Sequence, residues 1–170
     1  GVNNRLYIGA QDGLYIYDAT DLDNPLFVSR FEHVVACDPV VVQGIYAYVT
    51  IRQSSCQGNI GGLETNVLNI INISDVYNPV LDGTYSLTEP YGLGVSGDLL
   101  FVCEGTYGLR VFDISNPIDP VPVMRFDNIH AYDGIPNKNL LILTGDDGIA
   151  QYDFSDPNNI HEVSRIYSTN

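Results

Sequence analysis

Val111-Phe112-Asp113-Ile114-Ser115-Asn116-Pro117, followed by Pro120-Val121, is the stretch on which the reading of the fold turns, because it recurs. An apolar residue, Asp or Asn, an apolar residue, Ser or Thr, and Asp or Asn also stand at Tyr17-Asp18-Ala19-Thr20-Asp21, Ile71-Asn72-Ile73-Ser74-Asp75 and Tyr152-Asp153-Phe154-Ser155-Asp156. Seven residues after the anchors come Pro25, Pro79, Pro120 and, in the last copy, Ile160. The anchors at 18, 72, 113 and 153 are spaced by 54, 41 and 40 residues, a period near that of one four-stranded propeller blade.

Working outward from each anchor, the flanks alternate as short strands: Leu99 to Val102 and Leu109 to Phe112, then Val121 to Phe126. The first copy repeats this at Leu6 to Ile8 and Leu14 to Tyr17, the last at Leu140 to Leu143 and Ile149 to Tyr152. Asp12-Gly13 and Asp147-Gly148 mark hairpins, where a tight turn needs positive φ. The expected fold is all-β: a β-propeller segment of about four four-stranded antiparallel blades, at 1–36 with its inner strand missing, 37–88, 89–129 and 130–170. Open blade faces and sheet edges are unfavourable in water, so the segment is expected to be the C-terminal portion of a larger propeller or to be closed by a second copy. The anchor residues read as turn-formers, since a residue type present in every blade makes no unique site.

Composition fits this reading. Of 170 residues, 45% are hydrophobic, with sixteen Gly, nine Pro and twelve Tyr, as in many short strands joined by tight turns. The net charge of −14 excludes nucleic acid as a partner, because phosphate contacts need clustered basic side chains. No stretch approaches the roughly 20 apolar residues of a transmembrane helix.

The repeated strings resemble the LVIVD repeat of bacterial and archaeal cell-surface propellers. Ala36-Cys37-Asp38-Pro39-Val40-Val41-Val42, Pro90-Tyr91-Gly92-Leu93-Gly94 and Gly145-Asp146-Asp147-Gly148 resemble its Bacteroidota members, typically exported outer-membrane lipoproteins. The resemblance implies a cell-surface or outer-membrane location, or the periplasm, with a lipid anchor outside this segment. It also implies an adhesion or complex-forming role without catalysis. Asn72 departs from the usual Asp at the anchor.

The repeat breaks once. Val49 lies 23 residues before its anchor Asn72, whereas Val102 lies 11 before Asp113, so about a dozen residues are inserted between Arg52 and Asn66. In an up-and-down meander this insertion emerges on the same side as the connections between blades. Those carry Cys37, Asp38, Glu89, Tyr91, His130, Tyr132 and Asp133. Together with Arg52 and Gln53 they form the candidate binding face for a protein, a glycan or an outer-membrane complex. Cys37 and Cys56 meet on that side as a candidate disulfide, while Cys103 alternates as a buried hydrophobe. The alternative is a carbohydrate-active enzyme using Asp38, Glu89 and Asp133. His33, His130 and His161 lack zinc spacing, Val95-Ser96-Gly97 is no nucleophile elbow, and Asp146-Asp147-Gly148 reads as a plain turn. No metal, cofactor or catalytic motif is expected.

Overall fold

A computed structural model describes residues 3–10, 12–32, 39–52 and 66–168. Every regular element among them is a strand. The chain divides into two compact units, Gly1–Leu87 and Thr88–Asn170.

The first unit holds a three-stranded sheet, β1 (Arg5–Ala10), β2 (Gly13–Asp18) and β3 (Leu26–Glu32). It also holds a four-stranded sheet of β4 (Val40–Gln43), β5 (Tyr46–Ile51), β6 (Val67–Asn72) and β7 (Val80–Ser86). The second unit holds β8 (Leu93–Ser96), β9 (Leu99–Cys103), β10 (Leu109–Asp113) and β11 (Val121–Phe126) as one sheet. The other is β12 (Asp133–Asn137), β13 (Leu140–Gly145), β14 (Gly148–Asp153) and β15 (His161–Tyr167). Each strand pairs antiparallel with its sequence neighbour, the up-and-down meander expected from the repeat, and we call the sheets blades 1 to 4.

The anchors act as the sequence suggests. Oδ1 of Asp18, Asn72, Asp113 and Asp153 accepts the backbone N–H two residues on, at 2.9, 2.9, 2.7 and 2.8 Å. Hydrogen bonds from the Thr20 side chain and backbone N–H hold the Asp18 carboxyl below the usual range, and those from the Ser115 backbone N–H and side chain do the same for Asp113. A β-bulge precedes each anchor at an equivalent place: Ile16/Tyr17, Ile70/Ile71, Val111/Phe112 and Gln151/Tyr152. The extra residue lies in the outermost strand, and such bulges bend and twist it.

The cores are sheet-on-sheet. In the first unit Leu14 and Ile16 of blade 1 pack with Ala47, Val49, Ile51 and Ile71 of blade 2. In the second, Phe101, Leu109 and Val111 of blade 3 pack with Leu141, Leu143, Ala150 and Tyr152 of blade 4. Most of these are wholly buried, each Val, Leu, Ile or Phe side chain contributing roughly 1.5–3 kcal/mol of hydrophobic stabilisation. Cys103 lies in the same core as a free thiol, raised far above its usual pKa by burial.

Candidate functional site

The second unit brings its candidate residues together through backbone geometry. The turn after β9 and the connection between blades 3 and 4 are joined by reciprocal bonds, Gly105 N–H to Ala131 O at 2.9 Å and Ala131 N–H to Gly105 O at 3.0 Å. Gly92 N–H donates to Tyr132 O at 2.9 Å, and Tyr132 N–H to Thr144 O at 2.8 Å. Tyr91 and Tyr132 are therefore held by backbone bonds just ahead of β8 and β12. Their rings lie 5.0 Å apart at 53°. Gly105 beneath them has φ +58°, and a Cβ there would sit 2.5 Å from Tyr91 Cε2, so the position admits no side chain without displacing the ring.

Around the tyrosines is a polar rim. Tyr91 donates to Glu89 at 3.3 Å, and Tyr132 to Asp146 Oδ2 at 2.8 Å. The bond to Asp146 favours the protonated phenol and raises the pKa of Tyr132. The same Asp146 oxygen lies 3.2 Å from His130 Nδ1. His130 N–H donates to Asp147 at 3.3 Å, and Asp147 stands 3.7 Å from Arg165. Asp133 Oδ1 accepts its own neighbour Gly134 N–H at 2.9 Å and crowds Gly92.

Glu89, Tyr91, His130, Tyr132 and Asp133 thus occupy neighbouring strand ends and connections of one unit. Arg52 is partly buried just past β5 in the other. Asp38 and Gln53, and the candidate disulfide Cys37–Cys56, lie outside the described residues. Among the described residues no group of three or more His, Cys, Asp or Glu is placed to hold a metal ion. Among the described residues no helix is long and apolar enough to cross a membrane.

Sequence reasoning missed the member on which the arrangement rests. Glu104, directly after β9, is fully buried. Its Oε1 accepts Thr88 N–H at 2.7 Å, and its Oε2 lies 2.8 Å from Arg110 Nη2 and 3.4 Å from Arg125 Nη1. Arg110 also donates to the Thr88 hydroxyl at 3.2 Å. The buried carboxylate ties the connection that leads to Glu89 and Tyr91 down onto blade 3. The one signal was compositional: two of the chain's seven basic residues fall in blade 3's third and outermost strands, where an acidic partner is needed. Asp146 and Asp147, read as a turn, form that turn and also bind Tyr132 and His130.

No curated protein matches the chain. Residues 91–128, which hold most of blade 3 and Tyr91, match the model of the LVIVD repeat. Among solved structures, apo AztD from Citrobacter koseri is similar at a TM-score of 0.61 and 14% identity, over 94% of this chain and 44% of that one. A second AztD structure from Citrobacter koseri gives 0.61 and 14% over 95% and 44%. The chain spans less than half the length of these relatives, and at that identity the likeness shows the fold. With the four antiparallel sheets and their recurring anchors, these matches show an all-β propeller fold in which residues 91–128 are similar to the LVIVD repeat.

Proposed function

We propose that this chain is a non-enzymatic recognition module that binds a protein or glycan partner through the loop side centred on Tyr91 and Tyr132. The observation that carries the reading is the tyrosine pair itself. Two rings fixed by inter-blade backbone bonds offer contact area at little conformational cost, and a polar rim of Glu89, Asp146 and His130 surrounds them. Preorganised aromatic surface of this kind suits recognition, where ordering side chains on binding costs affinity.

The family resemblance supports an exported protein at the cell surface or outer membrane, of the Bacteroidota lipoprotein type, docking on an outer-membrane complex. Hydrolysis by Glu89 and Asp133 has less support, because the Asp133 carboxylate is engaged by Gly134 N–H. A glycan array and cross-linking to intact cells test the reading. Capture by the wild type should fall at least tenfold in Tyr91→Ala/Tyr132→Ala, with Tyr77→Ala, an exposed tyrosine of the other unit, as the unaffected control. Equal capture by the double variant would refute the site. Fatty-acid labelling of the native protein tests the anchor.

A further inference from the structure

Among the described residues, two tyrosine–carboxylate pairs are completed by an arginine. In blade 1, Tyr15 donates to Asp12 Oδ2 at 2.9 Å. Arg30 Nη1 reaches the same oxygen at 2.6 Å and the Tyr15 hydroxyl at 3.1 Å, and the guanidinium lies over the Tyr15 ring, 5.6 Å from its centroid. In blade 4, Tyr152 donates to Glu162 Oε2 at 3.1 Å. Arg165 forks onto that carboxylate through Nε at 3.1 Å and Nη2 at 2.6 Å, and Nη2 also donates to the Tyr152 hydroxyl at 3.4 Å. A second aromatic ring leans on each tyrosine: Phe27 on Tyr15 at 6.3 Å and 59°, Phe126 on Tyr152 at 5.2 Å and 62°. The planar cation gains charge-assisted bonds from the carboxylate and attraction from the electron-rich rings.

Tyr132 and Asp146 repeat this arrangement without the cation. Tyr132 donates to Asp146 Oδ2 at 2.8 Å, and Tyr91 is the second ring, at 5.0 Å and 53°. Among the described residues no Lys or Arg joins Asp146, whose partner of that kind is the His130 imidazole at 3.2 Å. The basic residues of this unit are committed elsewhere. Arg110 and Arg125 close over Glu104, and Arg165 holds Glu162. Lys138 stands in the turn after β12, at the other end of the strand that follows Tyr132. The place is open to a ligand, since the Asp146 side chain is 56% exposed and both tyrosines are half-buried.

We propose that Tyr132, Asp146 and Tyr91 are the seat for an arginine side chain of a protein partner, which supplies the guanidinium that Arg30 and Arg165 supply within the chain. This rests on the tyrosine pair being a binding face, and it narrows the partner from a protein or glycan to a protein with an accessible arginine. The charge agrees: 21 acidic residues against seven Lys and Arg draw a cationic segment toward the chain.

The test titrates the 170-residue chain with two blocked tripeptides, acetyl-Gly-Arg-Gly-amide and its citrulline counterpart, which has the same shape and no charge. The Tyr91 and Tyr132 ring signals are followed by NMR at about pH 8, where imidazoles are ordinarily uncharged. The arginine peptide should move both rings to saturation, and the citrulline peptide should bind about threefold or more weakly. Asp146→Asn keeps an acceptor for the Tyr132 hydroxyl and should lose a similar factor, as should Tyr132→Leu, which keeps the carboxylate. Asp119→Asn, at an exposed position in the turn joining β10 to β11, should bind as wild type. Equal affinity for the two peptides overturns the proposal. So does wild-type binding by both Asp146→Asn and Tyr132→Leu, or an equal loss in Asp119→Asn, which would reduce the effect to net charge. A neutral oligosaccharide that shifts the rings where the arginine peptide does not would also overturn it, yet leave the binding face standing. Cell capture unaffected by Tyr91→Ala/Tyr132→Ala would remove the face itself.

Discussion

Replacing Glu104 by alanine should be among the most damaging single changes in the second unit. The side chain is fully buried, and Arg110, whose side chain is 13% exposed, keeps its charge when the carboxylate is removed. Thr88 N–H loses its acceptor at the same time. Breaking one side of a buried ion pair costs roughly 3–5 kcal/mol, because the remaining charge stays desolvated. For a chain of this size that is a fall in Tm on the order of 10 °C. Glu104→Gln keeps an oxygen for Thr88 N–H but gives Arg110 no charge, and should lose about half as much.

The decisive assay is a urea titration at constant m-value on Glu104→Gln, Arg110→Met and the double variant. Arg125 has Asp127 and the Tyr107 carbonyl besides Glu104, so the double variant strands no cation. It should be more stable than the sum of the single losses implies, by roughly 1–3 kcal/mol. A Glu104→Ala midpoint within about 1 kcal/mol of wild type, or strict additivity in the cycle, would refute the account. Because Thr88 precedes Glu89 and Tyr91, Glu104→Gln should also weaken whatever capture the tyrosine pair performs. A normal capture level would separate the strut from the binding face.

Gly94→Ala places a Cβ 2.5 Å from both Gly134 O and Pro136 Cδ, and should destabilise by about 1–3 kcal/mol, read as a lower urea midpoint. Gly97→Ala, with open space around it but φ +55°, should lose less and only through backbone strain. The carboxyls of Asp18, Asp75, Asp113 and Asp153 titrate below their ordinary range because backbone N–H groups and side chains bind their ionised forms. Their contribution is complete above the unfolded carboxyl pKa of about 3.9 and disappears as pH falls through the lower folded values. The urea midpoint should therefore decline below about pH 4. Asp113→Asn should keep the turn and flatten part of that decline, and an unchanged pH profile would disprove the link. Leu109→Ala, at a wholly buried position between blades 3 and 4, should cost about 2–5 kcal/mol in the same titration.

What could be read from the residues was whatever the blades share. Asp18, Asn72, Asp113 and Asp153 stand out because backbone geometry at a strand end demands a short acceptor there each time, and the strands follow from period-two alternation. Gly13 and Gly148 were legible as turn formers, yet their close approach was not: a Cβ would lie 2.2 and 2.1 Å from the Phe31 and Ile166 carbonyls, and at Gly108 1.8 Å from that of Phe126. Val67 stands at this place in blade 2, where the insertion ends and the short hairpin is gone. The four bulges left no mark, because one extra residue in an outer strand alters register without altering composition. Glu104 was hidden for a different reason. A single acidic residue after an apolar strand looks like a solvated turn, and only the fold shows Arg110 and Arg125 closing over it. Local repetition thus reveals the scaffold, whereas the positioning of Tyr91 and Tyr132 depends on contacts between residues 16 to 41 positions apart, through Thr88, Glu104 and the Gly92–Tyr132 bond. Each of those contacts occurs once among the described residues. A unique site in a repeat protein is built by such departures from the repeat, and so is the part of it that repetition cannot announce.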